Sequence, residues 1–119
     1  IKIGGFYETK PVGFTEQANF INTAITGYVH LHPEELLGKI KSIEKLMGKH
    51  EVIQNGPRNI DIDLIFFDDM VYKHNFLEVP HRNAHLRDFV LKPLADVAAD
   101  WVHPTLNKTT RKLLLELPN

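Results

Sequence analysis

The stretch Gly56-Pro57-Arg58-Asn59-Ile60-Asp61-Ile62-Asp63-Leu64-Ile65-Phe66-Phe67 constrains this chain more than any other. A Gly-Pro pair is turn chemistry, and here it delivers an arginine. Apolar and acidic residues then alternate at period two before the run becomes wholly apolar, the pattern of a strand with two unlike faces. Asp61 and Asp63 share one face, and Ile60, Ile62 and Leu64 share the other. The rise of a strand sets the two aspartates ~6–7 Å apart at Cα. At that spacing both carboxylates can reach one divalent cation, and their repulsion calls for a positive group between them.

The remaining sequence bounds what such a strand can belong to. A length of 119 residues predicts one domain with a single modest core. The net charge of −1 gives no bulk electrostatic case for nucleic acid or an anionic membrane, so any phosphate binding must be local. No run approaches the ~18–20 apolar residues of a membrane-spanning helix. The chain lacks cysteine, which removes disulfides, thiol chemistry and cysteine metal sites and fits a reducing compartment. It starts at Ile1 without Met or a signal peptide, and reads as though its true N-terminus lies elsewhere.

Taken in order, residues 1–9 read as a strand and residues 10–14 as a Pro/Gly loop. Residues 20–31 read as a second strand, paired antiparallel to the first. Pro33 opens a helix with Glu34 and Glu35 in its first turn. Leu36, Ile40, Ile43 and Met47 form its apolar stripe, and Gly48 stops it. Glu44 near the helix end reads by default as a solvated surface residue. A polar loop over residues 49–55 leads into the Gly56–Phe67 strand. Asp68-Asp69 is a tight turn into residues 70–72, giving a hairpin, and residues 73–79 read as irregular. A short helix holds His85, Arg87 and Phe89 and is broken by Pro93, with a further helical turn or two over residues 94–99. Thr109 caps a last helix carrying Leu113, Leu114 and Leu117. Strand, strand, helix, hairpin, helices is an α+β pattern with a mostly antiparallel sheet.

The chemistry gathers around the aspartates. Arg58 precedes Asp61 by three residues, and His81, Arg82, His85 and Arg87 crowd into seven. Hard oxygen ligands suit Mg²⁺, which takes one or two carboxylates plus waters and phosphate oxygens. An acid pair facing Arg, Lys and His is the layout for phosphoryl transfer from a nucleotide. Zinc fits less well, because His81 and His85 stand at i, i+4 without the H-E-x-x-H pattern. Taken alone, an Asp-x-Asp also decorates many solvent-facing strands, the His/Arg cluster is what an exposed basic loop carries, and Phe20 and Phe89 read as core.

Gly56-Pro57-Arg58-Asn59-Ile60-Asp61-Ile62-Asp63 closely resembles the signature of the hydroxymethyl-dihydropterin pyrophosphokinases of folate biosynthesis. The resemblance extends to Phe6–Gly13, to Phe20-Ile21-Asn22-Thr23-Ala24, to Val79-Pro80-His81 with Arg87–Leu91 and Pro93-Leu94, and to His103-Pro104 with the final Leu-rich helix. It implies transfer of a diphosphate from ATP to the pterin hydroxymethyl group with release of AMP. It implies that Asp61 and Asp63 bind two Mg²⁺ ions, and that Arg58, His81 and Arg87 contact the nucleotide or its phosphates. Lys49 stands where relatives often have Arg and would be a less directional phosphate contact. Glu44 would lie on the nucleotide side. Phe20 and Phe89 would sandwich the pterin, Asn22 would hydrogen-bond its amide-like edge, and Thr9, Pro11 and Val12 would offer backbone groups to that edge.

The resemblance also implies a ferredoxin-like fold whose first strand, central in the sheet, and first helix precede Ile1, so residues 1–119 would be an N-terminally incomplete pyrophosphokinase domain. The enzyme would be cytoplasmic, or mitochondrial as part of a fused eukaryotic folate enzyme, with another folate-pathway enzyme attached or following. Asn55 stands where many relatives have Trp, the loop over residues 49–55 is short and not basic, and Arg82 replaces a common Tyr. Two other readings stay open. The chain could be a non-catalytic pterin- or nucleotide-binding segment needing another chain or an upstream region. Alternatively it is another Asp-x-Asp magnesium enzyme, a glycosyl- or nucleotidyltransferase.

Overall fold

The computed structural model describes residues 1–9, 20–48 and 60–118. The loops expected over residues 10–14 and 49–55 and the turn over residues 56–58 lie outside these. Two antiparallel ladders form first. β1 (Lys2–Ile3) pairs with β4 (Ile25–Thr26), and β2 (Tyr7–Thr9) pairs with β3 (Phe20–Asn22). The expected antiparallel pairing is therefore present, but neither partner is one continuous strand. The register Ile3↔Ile25 in one ladder and Tyr7↔Asn22 in the other leaves Gly4, Gly5 and Phe6 opposite only Thr23 and Ala24. One extra residue on one side is a bulge, which bends the ribbon and frees a backbone N–H from the ladder. Gly4 N still donates to Ala24 O at 2.8 Å, and Thr23 Oγ1 donates to Gly4 O at 3.1 Å. Gly5 N turns away, to Asp96. The second strand also stops early: no strand continues over residues 27–31.

α1 (Pro33–Leu46) starts where expected, and a reciprocal cap explains why. Glu34 N donates to His32 Nδ1 at 3.3 Å, and His32 N donates to the Glu35 carboxylate at 3.0 Å. Gly48, at φ 87°, supplies the left-handed residue that ends the helix. The buried stripe differs from the predicted one. Pro33, Ile40 and Glu44 are buried, whereas Ile43 and Met47 are exposed. The helix is rotated so that Glu44 faces inward, and the reading of Glu44 as a solvated residue is overturned.

The run Ile60–Phe67 keeps the predicted alternation of faces but joins no ladder among the described residues. Asp61 and Asp63 are exposed, while Ile60, Ile62 and Leu64 are half-buried. It is tied down by single bonds instead: Ile62 N to Glu44 Oε2 at 2.7 Å, and His81 N to Ile65 O at 2.8 Å. The turn at Asp68-Asp69 forms, with Asp68 at φ 52° and Met70 N bonded to Phe67 O at 3.0 Å. The hairpin, however, lies one step downstream of the predicted one. β5 (Tyr72–His74) pairs with β6 (Leu77–Val79) across Asn75-Phe76, and all of it but Tyr72 falls within the residues expected to be irregular. Asn75 takes the left-handed φ of 52° that so short a loop needs. Burial of Leu77 and Val79 pulls this ribbon onto the body of the protein.

A single 3-10 turn (Ala84–Leu86) leads into α2 (Asp88–Ala98), and Pro93 lies inside α2 rather than ending it. Proline removes the N–H that the Phe89 carbonyl would accept, a local cost of ~3 kcal/mol. Burial of Leu91, Pro93 and Leu94 outweighs it. α3 (Thr110–Leu115) is capped as predicted, with Lys112 N donating to Thr109 Oγ1 at 3.1 Å. The core forms where Leu91, Leu94 and Leu113 meet Ala24, Ile65, Phe66, Val97 and Leu117. α2 thus packs on α3 and on β1 to β4, with Arg87 at its N-cap and Phe89 in its first turn.

Candidate functional site

Asp61 and Asp63 present their carboxylates from one exposed edge of the Ile60–Phe67 run, as period two requires. A pair of carboxylates with room for waters and phosphate oxygens is a donor set that Mg²⁺ takes. Among the described residues no group of three His, Cys, Asp or Glu could hold a metal by itself. Two carboxylates alone would leave the rest of such a cation's shell to waters and a bound ligand.

The backbone bond from His81 N to Ile65 O places His81 alongside this run, two residues on from Asp63. The His81 ring is oriented as well. Its Nδ1 accepts the Asn83 N–H at 3.2 Å, which leaves the proton on Nε2 and makes that nitrogen a donor. Neighbouring Arg82 is held by Glu78 at 3.1 Å. Arg87 stands at the N-cap of α2, so its guanidinium and the positive end of that helix share one neighbourhood. Its Cζ lies 5.7 Å from the centre of the Phe89 ring. Arg87 and Phe89 act as one half-buried unit.

The aromatic and amide groups come from the bent ribbon. Thr9 and Phe20 are register partners at the end of the β2–β3 ladder. Asn22 Nδ2 donates to Thr9 Oγ1 at 3.0 Å, which sets the orientation of the amide. Phe20 is 43% exposed, too open for the core role its side chain would take by default. Because α2 packs on β2 and β3, the elements bearing Phe20, Asn22 and Thr9 adjoin the one bearing Phe89. Glu44 is buried at 2% exposure, its carboxylate turned to the Asp61–Asp63 segment. Pro11, Val12, Lys49 and Arg58 lie outside the described residues.

One residue at the back of this arrangement escaped the sequence reading. Asp96 Oδ2 accepts both Gly5 N and Tyr7 Oη, each at 2.8 Å. It ties the bulge to α2, two helical turns beyond Phe89. The bond from Asp96, ahead of burial, raises the Tyr7 pKa above 10.0. The adjacent pair Gly4-Gly5 inside a strand pattern was the available signal, since glycine there marks a bulge or a close backbone approach.

The comparisons with known proteins agree on one family. The model of the 7,8-dihydro-6-hydroxymethylpterin-pyrophosphokinase family matches residues 1–99. A folic acid synthesis protein of Dictyostelium discoideum is 46% identical over 113 residues, covering 95% of this chain but 17% of its own length. A 2-amino-4-hydroxy-6-hydroxymethyldihydropteridine pyrophosphokinase of Aquifex aeolicus is 40% identical over 111 residues, covering 93% of this chain and 69% of its own. A mitochondrial folate synthesis bifunctional protein of Arabidopsis thaliana is 43% identical over 96 residues, or 81% of this chain and 17% of its own length.

Proposed function

Because the chain belongs to the 7,8-dihydro-6-hydroxymethylpterin-pyrophosphokinase family, we propose that it transfers a diphosphate from ATP to 6-hydroxymethyl-7,8-dihydropterin in folate synthesis. The pterin hydroxyl oxygen attacks the β-phosphorus and loses its proton. The bond from that phosphorus to the α–β bridging oxygen breaks, and AMP leaves. The observation that supports this reading most is the family match over residues 1–99. The 2.8 Å bond from His81 N to Ile65 O, which brings the His81 backbone to the run two residues past Asp63, is consistent with it.

In this reading each residue has one task. Asp61 and Asp63 would hold two Mg²⁺ ions, whose chemistry when bound would be positive charge for the phosphate oxygens. His81 donates from Nε2 to a phosphate oxygen, and Arg87 supplies a forked cation to the same group. Arg58 and Lys49 complete the phosphate contacts. Phe20 and Phe89 stack on the two faces of the pterin, and because Arg87 already lies near the Phe89 ring, pterin and phosphate are bound in one neighbourhood. Asn22, oriented by Thr9, reads the amide-like edge, with Pro11 and Val12 offering backbone groups beside it. The fold of this reading is ferredoxin-like, and fusion to further folate enzymes and a mitochondrial setting follow the pattern of the Arabidopsis protein.

The test is product identity. With ATP, Mg²⁺ and the hydroxymethyl pterin, the nucleotide product is expected to be AMP; ADP would make this an ordinary kinase and sink the proposal. Asp63→Ala is expected to lower turnover by at least ~100-fold while the circular dichroism spectrum stays unchanged. An active Asp63→Ala protein would remove the metal assignment.

A second reading has its own supporting observation. Ile3 and Ile25 face each other across the β1–β4 ladder and are each 63% exposed, and Ile60–Phe67 joins no ladder among the described residues. A sheet with so much open apolar surface suits a binding segment that acts together with another chain or a further region. Activity that appears only when such a partner is added would favour it; full activity of the 119-residue chain alone would eliminate it.

A further inference from the structure

Glu44 is the one carboxylate buried among the described residues, and it sits near the C-terminal end of α1, where the helix dipole disfavours a negative charge. A buried carboxylate must be held by donors. Ile62 N donates to Oε2 at 2.7 Å, the short length of a charge-assisted bond, and Lys41 Nζ lies 3.3 Å from Oε1. Ile62 is the residue between Asp61 and Asp63. Fixing its N–H against α1 stops the run from rotating about its own axis. Both neighbouring carboxylates are thereby kept on the exposed side, away from the helix. A strand in a ladder would get this orientation from its neighbours; this run has no ladder among the described residues.

We propose that Glu44 is a positioning residue for the Asp61/Asp63 pair, acting through the Ile62 backbone, rather than a contact to the nucleotide. The consequence for metal and turnover rests on the pyrophosphokinase reading; the positioning itself does not.

Amide hydrogen exchange reads the Ile62 N–H directly. Protection is expected in the wild-type chain and in Glu44→Gln, whose amide oxygen still accepts. It is expected to be lost in Glu44→Met, which fills the same volume without an acceptor. Calorimetric titration of Mg²⁺ in the presence of a non-hydrolysable ATP analogue is expected to show metal binding ~10–100-fold weaker in Glu44→Met. Binding of the analogue without metal should stay as in the wild type. An unprotected Ile62 amide in the wild-type chain overturns the proposal, whether or not any variant folds. Equal loss of metal-free nucleotide binding in the Gln and Met variants overturns it too, since that is the pattern of a direct contact. A wild-type chain without pyrophosphoryl transfer, but with Ile62 protection that Glu44→Met abolishes, upholds the positioning and refutes the functional reading alone.

Discussion

His103 shows how one side chain can be committed to a single protonation state by its surroundings. It is 4% exposed, and its Nδ1 accepts the N–H groups of Thr105 at 3.2 Å and Leu106 at 3.0 Å. Phe66 packs edge-on against the ring, and His85 lies on another side at 6.1 Å between centroids. Burial first, then the His85 charge, lowers the His103 pKa below 6.5. The neutral form is the one the fold holds. Its stabilisation is therefore complete above the unfolded value of 6.5 and is lost as pH falls through the lowered folded value. We expect the melting temperature to fall between about pH 7 and about pH 5, and His103→Asn, whose side-chain oxygen can accept the same two N–H groups without titrating, to flatten that slope. Thermal denaturation across the pH series checks it; an equally steep slope in the variant would exclude His103 as the cause. In the sequence His103-Pro104 enters through the family resemblance and gives no sign of a buried ring, because burial of a polar ring depends on residues brought in from other elements.

Among the elements, the bulge approaches α2 closely. A Cβ built on Gly4 would lie 2.6 Å from the Pro93 carbonyl oxygen and 3.3 Å from Asp96 Cβ. The first is backbone and cannot swing aside, so Gly4→Ala must push α2 away from the ribbon. We expect a loss of ~1–3 kcal/mol, typical of overpacking, read from urea denaturation. A neutral effect would mean that ribbon and helix do not approach as closely as this. The same element also marks where local rules lose to packing. Pro93 reads as a helix breaker, yet α2 runs through it because its apolar side lies in the core with Leu91 and Leu94. The β5–β6 hairpin was hidden for a related reason. His74-Asn75-Phe76-Leu77 lacks the Asn-Gly signal, and Asn75 alone supplies the left-handed turn.

For the molecule as a whole, the apolar surface is divided unevenly. The core lies around α2, α3 and residues 65–66, while Ile3, Phe6, Ile21 and Ile25 on the bent ribbon stay exposed. An open apolar strip of this kind is an interaction surface or an aggregation liability. We expect the 119-residue chain to associate as its concentration rises and to bind a hydrophobic dye. The double substitution Ile3→Thr with Ile25→Thr should weaken both while leaving thermal stability nearly unchanged. Sedimentation velocity decides this, and a wild-type chain that stays monomeric and dye-free would refute it. The relatives bear on the same scale: the chain spans 17% of the Dictyostelium protein's length and 69% of the Aquifex protein's.

By itself the sequence determined the α+β class, the start and stop of α1, the cap of α3, the antiparallel first pairing, and the two-faced run bearing Asp61 and Asp63. These follow from caps, turn residues and side-chain period, which act within a few residues. The motifs also carried the family. Only the tertiary structure decided that α1 turns Glu44 inward onto Ile62, that Pro93 lies inside a helix, that Gly4 and Gly5 make room for α2 and Asp96, and that His81 lies beside Ile65. Each of these depends on a contact between residues far apart in the chain, whose energy comes from burial that no local pattern records. The Asp61–Asp63 run joins both levels: period two sets which side its carboxylates share, and Glu44 and His81 set where that side points.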